Sequence, residues 1–137
     1  MKDSMLISVW LASSFVLNKV DKKISSVHGI GFDDYVILSM LHAAESGLNS
    51  KVLAEKVFKS ASSTMRLLIS MEKTGIVSRR TIAGDSLNSI FEISSSGEDL
   101  FLNAACTMGE CSEVIFSNLD EDKKSNLCLA LDEIRRA

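Results

Sequence analysis

The stretch Ser60-Ala61-Ser62-Ser63-Thr64-Met65-Arg66-Leu67-Leu68-Ile69-Ser70-Met71-Glu72-Lys73 decides how the rest of the chain reads. A serine at its head is a good N-cap, and Gly75 just past its end is a good stop, so the segment predicts one helix. At 100° per residue from Ala61, the residues Ser62, Ser63, Arg66, Ser70 and Lys73 fall on one arc between about 100° and 200°. Thr64, Leu67, Leu68, Met71 and Ala61 take the opposite side, and Glu72 turns away from the arc. Small hydroxyls let a helix backbone come close to phosphates, and a mid-helix arginine reaches a guanine edge. A serine-rich face is by itself more commonly just solvated, so the surrounding charge has to weigh in.

It does. From Asn49 to Ile93 there are seven bases (Lys51, Lys56, Lys59, Arg66, Lys73, Arg79, Arg80) against four acids (Glu55, Glu72, Asp85, Glu92). That segment carries +3 in a chain of net charge −3, leaving −6 for the remainder. A basic island in an acidic chain is the footprint of a nucleic-acid surface confined to one part of the molecule.

The periodicity places four helices before a hairpin and two after it. The first runs from Lys2 to about Val27, with Leu6, Trp10, Phe15, Leu17, Val20 and Ile24, and breaks at Gly29-Ile30-Gly31. The second spans about Phe32 to Ala44, with Asp33 and Asp34 in its first turn, where the helix dipole favours negative charge, and Gly47 as its stop. The third covers Asn49 to Phe58. Beyond Gly75 the period changes, and Ile76–Thr81 and Asn88–Ile93 read as strands joined around Ala83-Gly84-Asp85. Ser94, Ser95 or Ser96 caps a long fifth helix reaching about Phe116, and Ser95 with Glu98 has capping-box spacing. Asp120 or a neighbour starts the sixth, where Leu127, Leu131 and Ile134 share a face. The fold class is mostly α with a small β-hairpin, without internal repeats or a linker.

Composition narrows the function classes. The 137 residues are 46% apolar and contain no proline, which suits a single domain with a real core and long helices. Three cysteines make an odd set in a chain of this length, so a disulfide scaffold is excluded and a reducing, cytoplasmic setting is expected. The uncharged run Ser4 to Asn18 is too short and serine-rich for a membrane span, and Asp3 argues against an export signal. It reads as a helix buried between partners. Nucleotide-binding glycine loops, HExxH, nucleophile elbows and Cys-x-x-Cys pairs are all missing from the sequence, so no catalytic residue, cofactor or metal site is expected. His28 reads as a helix-end residue and His42 as a buried or boundary one. Cys106, Cys111 and Cys128 read as core packing rather than redox sensors.

These elements in this order resemble the multiple-antibiotic-resistance regulator (MarR) family of winged helix-turn-helix proteins. The resemblance spans the chain by element order and Gly29 to Gly97 by motif. It is carried by Gly29-Ile30-Gly31-Phe32 with Tyr35-Val36-Ile37-Leu38, then Leu53-Ala54-Glu55-Lys56-Val57. It continues through Ser60, Ser62-Ser63 and Arg66-Leu67-Leu68, then Glu72, Gly75-Ile76-Val77, Arg79-Arg80, Asp85, and Ile93-Ser94 with Gly97. The resemblance implies a winged helix-turn-helix over 29–97 and a helical dimerisation region from 1–28 and 98–137. It implies a homodimer held through residues such as Trp10, Phe15, Leu127, Leu131 and Ile134, two recognition helices in adjacent major grooves of double-stranded DNA, and half-sites about 34–36 Å apart. It further implies that the dimer occludes a promoter, and that a small phenolic or lipophilic effector releases it. Ser60, Ser62, Ser63, Arg66, Ser70, Lys73, Arg79 and Arg80 are the expected DNA-binding residues.

Two departures stand out. The family's wing carries arginine at one or both positions after the aspartate, where this chain has Ser86 and Leu87. The turn between the two helices of the motif has glycine and then an apolar residue in the family; here they are Phe58 and Lys59. A bulky residue at a left-handed position is strained, so a turn of different shape is expected, with Phe58 filling the apolar residue's pocket. The rival readings are a winged-helix module with a protein partner and weak DNA binding, or a thiol- or metal-responsive sensor.

Overall fold

A computed structural model describes residues 2–82 and 84–137. The order is α1 Lys2–His28, α2 Phe32–Ala43, β1 Leu48–Asn49, α3 Ser50–Val57, α4 Ala61–Lys73, β2 Val77–Ile82, β3 Asp85–Ile93, α5 Ser95–Ile115 and α6 Glu121–Ile134. It is a mostly helical winged helix-turn-helix. The expected strands form the wing, but they belong to a three-stranded antiparallel sheet in the order β1-β3-β2. β1 escaped the sequence reading because two residues carry no period. It exists because Leu48 and Asn49 pair with Phe91 and Ile90. Ala83, expected in the wing turn, lies outside the described residues, as do the side chains of Asp85, Ser86 and Leu87.

The helix ends follow from capping chemistry. Asn49, Ser60 and Asp120 each accept a backbone N–H from three residues on, satisfying one orphan donor apiece. Gly75 adopts φ +81°, and the paired bonds Gly75 N–H to Glu72 O and Ile76 N–H to Met71 O end α4. Gly47 does not stop α2, which ends at Ala43; its φ of +77° serves the turn into β1, where a Cβ would meet the Phe91 carbonyl at 2.6 Å. At α5 the cap is Ser94, whose hydroxyl accepts from Gly97 N–H at 3.1 Å and donates to Gly75 O at 2.6 Å. The Ser95–Glu98 capping box does not form, and Glu98 instead reaches His42 on α2 at 2.5 Å. Ser94→Ala is expected to lower stability by about 1 kcal/mol, read as an earlier urea midpoint at unchanged slope; an unchanged midpoint would deny the cap its role.

Two apolar clusters organise the chain. Ile37, Leu38 and Leu41 of α2 meet Leu53, Leu68, Met71, Val77, Phe91 and Phe101, and this cluster fixes α4 against the sheet. Val20 and Ile24 of α1 pack on Ala104 and Met108 of α5. Gly97 lets α5 start against β2, since a Cβ there would sit 2.0 Å from the Ile76 carbonyl oxygen. By contrast α6 buries no residue, and the first half of α1 is exposed on nearly every side.

Candidate nucleic-acid interface

α4 presents the face its sequence predicts. Thr64, Leu68 and Met71 are buried, while Ser62, Arg66, Ser70 and Lys73 are exposed and Ser63 is half-buried. The inward face is secured by the buried Thr64 hydroxyl donating to Ser60 O at 2.9 Å. Ser60 Oγ, the cap, also contacts Ser63 Oγ at 2.9 Å and Ser62 Oγ at 3.3 Å, so three hydroxyls cluster where the helix N–H groups point outward. Such an N-terminus favours phosphate oxygens. Arg66 stands one turn further on, beside Ser63 and Ser70 in a shallow cavity of about 440 Å³ that Asp33 and Lys59 also border. Ile69, at about 80° just beside this arc, is also exposed. Its apolar residue type hid it, although such a side chain suits a thymine methyl.

The two wing-strand arginines differ from expectation in being engaged at home. Arg79 donates to Glu72 Oε1 at 3.1 Å, with its guanidinium 4.9 Å above the Phe91 ring. Arg80 donates to Glu92 Oε1 at 3.0 Å and to Ser46 O at 3.3 Å. The Arg79 side chain keeps 28% of its exposure and that of Arg80 57%. These pairings span the β2–β3 register and the α4–β2 corner, which no local spacing reveals.

The helix-turn-helix turn also corrects the sequence reading. Phe58 adopts the left-handed conformation directly, at φ 57° and ψ 39°, instead of reshaping the turn. Lys59 N–H to Ala54 O and Phe58 N–H to Glu55 O complete the stop that glycine normally makes. A non-glycine residue there costs roughly 1–2 kcal/mol. Nor does Phe58 fill an internal pocket, for it is 75% exposed. It lines an open cavity of about 640 Å³ together with Phe32, Val36 and Met40 of α2, Val57 of α3, Leu67 of α4, and Leu17 of α1 and Arg135 beyond α6. At the start of α2, burial raises the Asp34 carboxyl above its ordinary pKa; the Gly31 N–H opposes this, and Asp33 and Asp21 add to it.

The remaining candidates fall elsewhere. His28, at the end of α1, contacts Thr107 Oγ1 at 2.7 Å, and the His42 ring lies 4.7 Å from that of Phe101. Among the described residues no group of three or more His, Cys, Asp or Glu is placed to hold a metal, and no helix is long and apolar enough to cross a membrane. The expected burial of the cysteines is not found: Cys106 and Cys128 are exposed, and only Cys111 packs on an apolar cluster. Trp10, Phe15, Leu127, Leu131 and Ile134, expected at a dimer interface, are all exposed on the single chain.

No family model and no curated protein matches this chain. Solved structures do. A MarR-family transcriptional regulator from Rhodococcus sp. RHA1 superposes with a TM-score of 0.88 at 19% identity, covering 98% of this chain and 95% of its own. CouR from Rhodococcus jostii RHA1, bound to p-coumaroyl-CoA, gives 0.86 at 18% identity over 97% and 92%. The MepR–DNA complex of S. aureus gives 0.79 at 20% identity over 97% and 96%. The fold is therefore that of the MarR-type winged-helix regulators along nearly the whole chain.

Proposed function

We propose that a chain with this fold and this recognition helix is a non-enzymatic transcriptional regulator that binds a pseudo-palindromic operator in double-stranded DNA as a homodimer. The observation that carries the proposal is the acid-free exposed arc of α4, with a hydroxyl cluster at its N-terminus and Arg66 at its centre. Residues 29–97 form the DNA-binding part; 1–28 and 98–137 form the dimerisation part, whose apolar residues lie exposed on the single chain. Ser60, Ser62, Ser63, Ser70 and Lys73 position the helix on phosphates, and Arg66 reads a base edge. The dimer represses by excluding polymerase and is released by a small phenolic or lipophilic effector, for which the 640 Å³ cavity beside α4 supplies the space. CouR and MepR, of the same fold, are seen with a CoA thioester and with DNA respectively, which supports both partners.

The test is salt-dependent binding to duplexes, first selected from random sequence. Affinity is expected to fall linearly on logarithmic axes as salt rises. No binding to any duplex at low salt would favour the second reading, a winged helix with a protein partner, which the internal pairing of Arg79 and Arg80 supports. The two arginines are expected to part company. Arg80→Ala should weaken all duplexes alike and lower the salt slope by about one unit. Arg79→Ala should leave the slope in place and lower the melting temperature instead, since its guanidinium is held by Glu72 and Phe91. Equal slope losses in the two variants would contradict that division.

A further inference from the structure

α4 carries one large apolar side chain that its own chain does not use. Met65 and Leu67 are half-buried and pack against the core, and Leu68 and Met71 lie inside it. Ile69 is 37% exposed and joins neither apolar cluster among the described residues. A β-branched residue is also a poorer helix former than a straight-chain one. At this position it contributes little to the helix and little to the core.

Its place on the helix gives the exposure a meaning. Counted from Ala61, Ile69 stands at about 80°, between Met65 at about 40° and Ser62 at about 100°. Lys73 and Arg66 follow at about 120° and about 140°. Ile69 therefore borders the acid-free arc, on the surface that the proposed function turns toward DNA, and it lies three residues beyond Arg66. Glu72, the acid of α4, is held by Arg79.

Side chains three apart on a helix are neighbours. They advance about 4.5 Å along its axis, against about 3.4 Å between base pairs. Helices docked in a major groove place such positions on successive bases. Thymine is the one base with a methyl group on its major-groove edge; the others offer donors and acceptors, which an aliphatic side chain would cover without pairing. We infer that Ile69 is a second specificity-determining residue of α4. It packs on a thymine C5-methyl one base pair from the guanine that Arg66 reads, so each half-site holds a guanine and a thymine on neighbouring base pairs. The inference rests on the DNA-binding reading and on Arg66 as the reader of guanine.

Uracil in place of one thymine removes only its methyl, and 7-deazaguanine removes only the N7 acceptor of one guanine. A selected duplex can thus be scanned one group at a time by fluorescence anisotropy. In wild type, one thymine per half-site is expected to lose about fourfold in affinity on becoming uracil, the size of one buried methyl group. Ile69→Ala should bind the thymine and uracil duplexes alike at that position. It should keep the salt slope and melting temperature of wild type, because it removes no phosphate contact and no core packing. Ile69→Val, with a branched apolar tip, should retain the preference for thymine. The guanine whose deaza substitution weakens wild type but not Arg66→Ala should lie on the neighbouring base pair.

A wild type that binds DNA but is indifferent to every thymine methyl would overturn the inference and leave the DNA-binding reading standing. So would a uracil penalty that Ile69→Ala retains in full. A lower melting temperature for Ile69→Ala with that penalty unchanged would make the residue structural instead. A sensitive thymine and guanine more than one base pair apart would overturn their adjacency. A wild type that binds no duplex at low salt would overturn the DNA-binding reading, and the inference with it.

Discussion

Replacing Trp10 and Phe15 together by glutamate is expected to leave a chain that no longer associates, and that unfolds at lower temperature or not cooperatively. The two side chains are 66% and 55% exposed on the single chain. Five residues apart on a helix, they point about 140° from each other. No single covering surface of its own chain hides both, and Met5, Leu6, Ile7 and Leu11 around them are exposed as well. An apolar surface so continuous marks an interaction site, and the proposed occupant is a second copy. Burying a large apolar side chain contributes about 1.5–3 kcal/mol. Losing two and adding two charges removes several kcal/mol from an assembly whose folded monomer has little α1 cover. Light scattering at micromolar concentration should give the wild type twice the 14.9 kDa chain mass and the variant one. A monomeric wild type would refute the dimer, and the pseudo-palindromic operator with it.

What could be read in the sequence was whatever repeats with the helix or strand period or punctuates it. The six helices and the first wing strand lie close to where periodicity puts them, because caps such as Ser60 and the stop at Gly75 are local chemistry; β3 starts at Asp85, three residues before the expected Asn88, and Asn49 caps α3 from β1 instead of opening the helix. The exposed arc of α4 follows from the same 3.6-residue geometry. Long-range partners were not legible. Glu98 has the spacing of a capping residue, but its carboxylate is taken by His42, a residue of another helix. Arg79 and Arg80 look like free cations until the strand register sets Glu92 and the helix–strand corner sets Glu72 beside them. Two-residue β1 carries no pattern, since it exists through its partners Ile90 and Phe91. The residue type at Phe58 shows that the turn is strained, but its shape depends on the two backbone bonds that close it. The exposed Cys106 and Cys128 depart from the usual burial of free thiols, and their exposure depends on how α5 and α6 are covered.

In the proposed function α4 reads sequence through Arg66. Its side chain lies on the exposed arc of the helix, between Ser63 and Ser70, with no acid on that arc to neutralise it. Lys73 and the serines have reach and polarity for phosphates, but a bidentate contact to a guanine edge needs the guanidinium fork. Such a contact contributes about 1–3 kcal/mol of discrimination. Fluorescence anisotropy of Arg66→Ala on a selected site and on a scrambled duplex, across a salt series, measures this directly. The expected result is a roughly tenfold or larger loss on the selected site, a smaller loss on the scrambled one, and so a reduced ratio between them at every salt concentration. An unchanged ratio, with both duplexes weakened equally or neither weakened, would place the reading face somewhere other than α4.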